Sequence, residues 1–291
     1  MNIQWFPGHM AKTRRQMEEK LKLIDGVVEI LDARIPVSSK NPDISDITKG
    51  KPRIVVLNKV DLADETVTKQ WMEYYRSHGI GVCLVDCAKG KGVQESVSAV
   101  KKMLADKIAA DSEKGMSRAI KLLVAGVPNV GKSSYINRLS GRASAIVGDR
   151  PGVTRGQQWI RLKNGIELLD TPGILWPKFE DETVGLHLAF IGSIKDEIMD
   201  TELLACKLAE FLNVHYREMF CERYKLENTE GMQGFELVEY LGRKRGFVIS
   251  GGEIDFLRAS NILLDEFRSA KIGRISLERP ENLKGEEHDA V

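Results

Sequence analysis

Two glycines, a lysine and a hydroxyl stand at fixed spacing in Gly126-Val127-Pro128-Asn129-Val130-Gly131-Lys132-Ser133, with Ser134 following. This is the G-x-x-x-x-G-K-[ST] pattern, in which backbone N–H groups curl around phosphate oxygens. In such a loop Lys132 would neutralise the terminal phosphates and the Ser133 hydroxyl would ligate Mg2+. The loop must join a strand to a helix, because the helix N-terminus adds partial positive charge. An apolar run, Ile120–Val124, precedes it, and helical spacing from Lys132 to Leu139 follows.

A second motif reads a base. Asn58-Lys59-Val60-Asp61 follows the apolar run Ile54–Leu57. The Asp61 carboxylate can accept from the N1–H and exocyclic amine of guanine, a donor pair that adenine lacks. Asn58 can bind the base edge and support the loop, and the Lys59 stem can lie over the ring. Asp86-Cys87-Ala88-Lys89 ends a third strand pattern and would meet guanine O6 through backbone N–H; Cys87 replaces the usual Ser. Asp170-Thr171-Pro172-Gly173 closes another run. Asp170 would hold Mg2+ through water, and the Gly173 N–H would reach the γ-phosphate, an interaction that hydrolysis breaks. Thr154 lies between the two phosphate motifs and is the other candidate switch ligand of Mg2+. The expected metal set is thus Ser133, Thr154 and Asp170.

These motifs need a sheet. Strand-length apolar runs occur at Val27–Leu31, Ile54–Leu57, Val82–Val85, Ile120–Val124, Gln158–Leu162 and Ile166–Leu169. Most are continuous, as in parallel strands buried on both faces. Helical spacing separates them at Thr66–Ser77, Val93–Lys107 and Lys132–Leu139. The fold expected is α/β with a mostly parallel six-stranded sheet, its one antiparallel edge made by the hairpin at Lys163-Asn164-Gly165. After Pro177 the pattern turns helical, with Leu203, Leu204, Leu208, Phe211 and Leu212 in one helix. A second runs from Glu253 to about Ala270, with Gly273 as a stop. The expected division is residues 1–177, a small all-helical domain over 178–275, and a flexible tail over 276–291.

The order is unusual. Base recognition precedes phosphate binding, the reverse of the arrangement in the translation-factor-related GTPases that these elements otherwise resemble. Loops at the carboxyl ends of strands keep their places if former termini are joined and new ones opened. The chain is therefore expected to be a circularly permuted P-loop GTPase domain, joined through Lys89–Ile120.

Within that class it resembles the ribosome biogenesis GTPase A family (the YlqF/RbgA type). The residues carrying the resemblance begin with Trp5-Phe6-Pro7-Gly8-His9-Met10-Ala11-Lys12 and Asp32-Ala33-Arg34-Ile35-Pro36. Further matches are Asp149–Thr154, Asp170–Lys178 and Ser250-Gly251-Gly252. The resemblance implies GTP and GDP as ligands and a late step in assembly of the large ribosomal subunit, with rRNA and ribosomal proteins as partners. Ile174 stands where many GTPases place a water-orienting Gln, so slow intrinsic hydrolysis is expected. The resemblance offers His9 as the catalytic substitute; packing beside Trp5 and Phe6, or an rRNA contact, is the competing reading. Asn129 matches the residue that helps hold K+ in potassium-activated relatives, or it only forms a turn after Pro128. The alternative to a ribosomal GTPase is a nucleotide-gated RNA- or protein-binding switch in which hydrolysis is incidental.

Composition bounds the rest. The 291 residues carry 43 basic and 42 acidic side chains and are 42% hydrophobic, enough for real cores. Residues 1–177 hold 28 basic and 19 acidic side chains against 15 and 23 thereafter, an asymmetry that suits the first part to a polyanion. Lys12, Arg15 and Lys22, with Arg243, Lys244, Arg245, Arg258, Arg268, Lys271 and Arg274, are candidate phosphate contacts. The longest stretch free of charged residues, Thr183–Ile194, is too short to span a bilayer. Four cysteines without a C-x-x-C pair fit reduced thiols, so a cytoplasmic protein with no membrane partner is expected.

Overall fold

The computed structural model describes residues 19–116, 118–141, 158–171, 181–194 and 199–283. His9, Thr154 and Gly173, and all but the end of the basic helix expected after Gly8, lie outside the described residues.

Six strands form one sheet: β1 (Gly26–Asp32), β2 (Arg53–Asn58), β3 (Gly81–Val85), β4 (Ile120–Ala125), β5 (Gln158–Arg161) and β6 (Ile166–Asp170). Their order is β3-β2-β1-β4-β6-β5, and every pairing is parallel except β5 with β6. All of β1 is buried, which is why it reads as a nearly unbroken apolar run. Glu29 interrupts that run, and its carboxylate is met by Arg53 at 3.0 Å. Strand pleating sends Val27, Leu31, Val55, Leu57, Leu123 and Leu169 to one face. Helix α1 (Pro42–Ile47) contributes Ile44 there, and α2 (Glu65–Ser77) covers the outer part with Val67, Trp71 and Tyr75. The Asp64 carboxylate starts α2 by accepting from the Thr66 and Val67 N–H groups.

Helix α3 (Val93–Met103) lies on the opposite face, where its Met103 approaches within 3.1 Å of the position a side chain on Gly26 would take. One continuous helix was expected over Val93–Lys107. Instead the chain bends at buried Leu104 and continues as α4 (Ala105–Glu113). Apolar contact ends at the bend, since no residue of α4 is buried. Charge holds the linker instead: Lys107 and Arg118 both reach Asp25, at 2.7 and 2.9 Å. Helix α5 (Lys132–Ser140) follows β4.

The chain builds β1, β2 and β3 outward and then returns to the centre for β4. The order reverses between β1 and β4, the place where open α/β sheets bind ligands at the strands' carboxyl ends. Residues 58–61, 86–89, 126–133 and 170 all follow or end parallel strands, so a reversed motif order still delivers them to one edge.

The chain divides into two compact units, Met1–Gly185 with Ser276–Val291, and Leu186–Ile275. Helix α6 (Glu182–Phe190) crosses the division. The second unit packs α7 (Thr201–His215), α8 (Arg217–Tyr224), α9 (Gly234–Lys244) and α10 (Phe256–Arg268) around Leu204, Leu208, Leu212, Phe220, Leu241, Leu263 and Phe267. Gly234 admits the Cys206 carbonyl where any side chain would collide. Helix α10 is shorter than expected. It starts at the Asp255 cap and not at Glu253, because the Glu253 carbonyl accepts from the Ile249 N–H and the Asp255 N–H donates to the Phe247 carbonyl, and it ends at Ser269, next to the expected Ala270.

The segment after Ile275 is no frayed tail as far as Leu283. It returns to the first unit as a strap. Ser276 accepts from the Asp64 N–H, and the Leu277 N–H donates to the Arg34 carbonyl. Glu278 accepts from the Val37 and Ser38 N–H groups and the Ser38 hydroxyl, while its carbonyl accepts from the Trp71 indole at 3.1 Å. Leu283 joins the Trp71 cluster. Glu278→Ala leaves three donors without that carboxylate and is expected to cost about 2–4 kcal/mol, measured by urea unfolding. A loss below about 0.5 kcal/mol, the size of a surface substitution, would contradict this account of the strap.

Candidate nucleotide-binding site

The phosphate loop leaves β4 with three unusual backbone angles. Gly126 has φ 151°, Asn129 61° and Gly131 99°. A side chain on Gly126 would strike the Ile30 carbonyl, and one on Gly131 would strike the Asn58 amide. These are the close approaches for which the motif needs glycine. Asn tolerates left-handed backbone better than most residues, so position 129 accepts its turn.

Lys132 is buried in the loop it follows, its ammonium donating to the Val127 carbonyl at 2.8 Å. Burial pushes its pKa down to about 8, with the nearby Asp170 charge acting in the other direction. Asp170, at the end of β6 beside β4, has no exposed surface. Burial raises its carboxyl pKa, and Lys132 opposes the rise. Gln158 and the Thr171 N–H also favour its charge, yet neither carboxylate oxygen has a well-formed hydrogen bond among the described residues. The Thr171 hydroxyl turns away to donate to the Val124 carbonyl. A buried carboxylate with open acceptor sites beside a phosphate loop fits a hard divalent cation completed by phosphate and water oxygens. No group of three or more His, Cys, Asp or Glu among the described residues could hold a metal alone. Ser133 and Asp170 are the described residues that would hold Mg2+, whose chemistry would be charge neutralisation on the phosphates.

Asn58, at the end of β2, joins the two halves of the site. Its Nδ2 donates to the Val130 carbonyl of the phosphate loop at 2.7 Å. Its Oδ1 accepts from the Cys87 N–H of the loop after β3 at 3.1 Å. The side chain is buried, and one amide N–H remains for a base edge. Lys59 has φ 62° and places its ammonium 3.1 Å from Asp32. In the 86–89 turn, the Cys87 N–H is committed to Asn58 and the Lys89 N–H to Asp86. This leaves the Ala88 N–H as the turn's donor for an acceptor such as guanine O6. Cys87 is no reactive thiol, since burial pushes its pKa up to about 12. Asp61 is half-buried at the start of the next loop.

Arg138 has no motif signal and was missed in the sequence. From the last turn of α5 it donates to the carbonyls of Cys87, at 2.7 Å, and of Ala88. It therefore ties the helix that follows the phosphate loop to the base-side turn. Arg138→Ala is expected to weaken GDP binding by about 5- to 20-fold, mostly by faster release, in stopped-flow measurements. An unchanged release rate would make the contact dispensable.

Some basic residues considered for RNA are used inside the second unit. Arg268 donates to the Phe190 and Ala189 carbonyls, and Arg245 pairs with Glu266, which Arg223 also meets. Lys244 and Arg258 instead lie over the rings of Tyr240 and Phe247.

A family model described as 50S ribosome-binding GTPase matches residues 121–218. The chain is 51% identical over 282 residues to Ribosome biogenesis GTPase A of Priestia megaterium, a match covering 96% of this chain and 98% of that protein. A GDP-bound structure of TM YlqF aligns with TM-score 0.66 at 32% identity, over 92% of this chain and 100% of its own. A GNP-bound structure of YlqF from T. maritima gives TM-score 0.61 at 32% identity, over 93% and 99%.

Proposed function

This chain belongs to the ribosome biogenesis GTPase A family and is a ribosome-linked GTPase, and from that premise we propose that its cycle times a late step in assembly of the large ribosomal subunit. The GTP-bound protein joins the maturing subunit, contacting rRNA and ribosomal proteins, and hydrolysis releases it. The observation that carries the nucleotide reading is the Asn58 amide. One side chain locks the phosphate loop to the base-side turn, so a single ligand with phosphates at one end and a purine at the other spans both.

In this reading Lys132 and the loop N–H groups of Val130 to Ser134 hold the phosphates, Asp61 selects guanine, and the Ala88 N–H meets O6. Ser133, Thr154 and Asp170 serve Mg2+, and the Gly173 N–H senses the γ-phosphate. His9 orients the attacking water that Ile174 cannot bind. Asn129 is assigned to K+, and equal turnover in KCl and NaCl would leave it a turn residue alone. The site of action is the cytoplasm. No helix of the described residues is long and apolar enough to cross a membrane.

Steady-state GTP turnover with and without purified large subunits, in potassium buffer, tests the proposal. Stimulation of tenfold or more is the expected result, given the contribution of orienting and charge-stabilising groups supplied from outside. The second reading, a switch in which hydrolysis is incidental, draws on Ile174. It gains if His9→Ala protein matures subunits normally while hydrolysis is nearly abolished.

A further inference from the structure

Asp32 closes β1 with no exposed surface and one of the most heavily committed carboxylates in the first unit. Its Oδ1 accepts from both the N–H and the Nε of Arg34, at 3.1 and 2.9 Å. Its Oδ2 accepts from Arg34 Nη2 at 2.8 Å and lies 3.1 Å from the Lys59 ammonium. Arg34 is itself 1% exposed, and the strap fixes its carbonyl through the Leu277 N–H. Burial alone would favour the neutral acid at Asp32, but the Arg34 and Lys59 cations outweigh it and hold the carboxyl well below the usual range.

One buried cation directly beside it would satisfy a carboxylate. The second, Lys59, belongs to the loop that faces the base and keeps part of its side chain exposed. Lysine is flexible, and a stem that must lie flat against a ring gains from being tethered before the ring arrives. We propose that Asp32 is a positioning residue for guanine-nucleotide binding: its carboxylate, oriented by Arg34, tethers the Lys59 ammonium so that the Lys59 stem forms one wall of the base slot. The inference rests on reading residues 58–61 as the guanine loop. Arg34 acts one step further out, by fixing the carboxylate that fixes the lysine.

The test is a double-mutant cycle on the full chain, with GDP and IDP affinities measured by calorimetry. Lys59→Met keeps the stem and removes the ammonium, and as a partly exposed change it is expected to leave the fold intact. It should weaken GDP binding by about 10-fold. Asp32→Asn should do the same, and in the Lys59→Met background it should add less than about twofold, because the tether is already gone. The ratio of GDP to IDP affinity should stay at the wild-type value, since the guanine amine that IDP lacks is read by Asp61 and not by Lys59.

Additive losses, or an undiminished affinity in Lys59→Met, would overturn the proposal. A GDP to IDP ratio falling toward one would show that Asp32 merely supports the whole loop, which also overturns it. If Asp32→Asn strands the buried Arg34 and fails to fold, Lys59→Met decides alone. Failure of the guanine reading looks different: wild-type protein would then bind ADP as well as GDP.

Discussion

Replacing Lys132 by Met is expected to make the nucleotide-free protein more stable at pH 7 while nearly abolishing nucleotide binding. Lys132 is charged below about pH 8 yet buried, its ammonium resting on a carbonyl inside a loop shaped for phosphate. Its pKa falls from 10.5 to about 8, so the unfolded chain binds more protons than the folded one between those values. Stability of the nucleotide-free protein therefore rises with pH across that window, by up to about 3 kcal/mol. Below pH 8 the full penalty is present. Methionine removes the charge and keeps the stem, so a gain of about 1–3 kcal/mol at pH 7 is expected, reduced by the Lys132 attraction that Asp170 loses. The same change should weaken GDP binding by roughly 100- to 1000-fold, the cost of removing one partner from a buried ionic contact. Urea unfolding without nucleotide and calorimetry with GDP provide the two readouts. A Lys132→Met protein no more stable than wild type at pH 7 would refute the account of a strained resident charge.

The second large effect is expected at Asn58. Alanine there leaves the buried Val130 carbonyl and Cys87 N–H without their shared partner, a cost of about 2–4 kcal/mol. It also unlinks the phosphate loop from the base-side turn. GDP affinity should fall about 100-fold, and the preference for GDP over ADP should shrink with it, because the spacing of the two loops is no longer set. This separates Asn58 from Lys132, whose loss should weaken both nucleotides alike. Retained selectivity in an otherwise weakened Asn58→Ala protein would mean that the loops are registered by something else, with Arg138 the first residue to examine.

The sheet was legible in the sequence because its four inner strands are mostly buried, so they read as continuous apolar runs. Six runs of the right length could be little else, and the observed strands match each within two residues. The loops proposed for phosphate and base stood out because the chemistry proposed for them demands particular residues at particular spacings. Glycine must stand where backbone meets backbone, and an acid must face guanine's donors. Helix ends were less legible. Leu104 looks like any apolar helical residue, and only the folded chain shows it as the last buried residue before a helix, α4, that buries nothing.

The contacts that no local pattern reports were decided by folding. Residues 276–283 read as a charged tail, yet Ile275 and Leu277 are buried and Glu278 serves two backbone N–H groups more than 200 residues away. Arg138 carries no motif; only the folded chain brings the last turn of α5 against the 86–89 turn. Asp32 and Arg34 stood out only by resemblance. Their roles become visible when β1 and β2 pair in parallel register, which brings Asp32 opposite Asn58 and next to Lys59. Periodicity and motif chemistry are short-range properties, readable along the chain. Which buried charge meets which partner depends on strands and loops far apart in sequence, and is settled only when they pack.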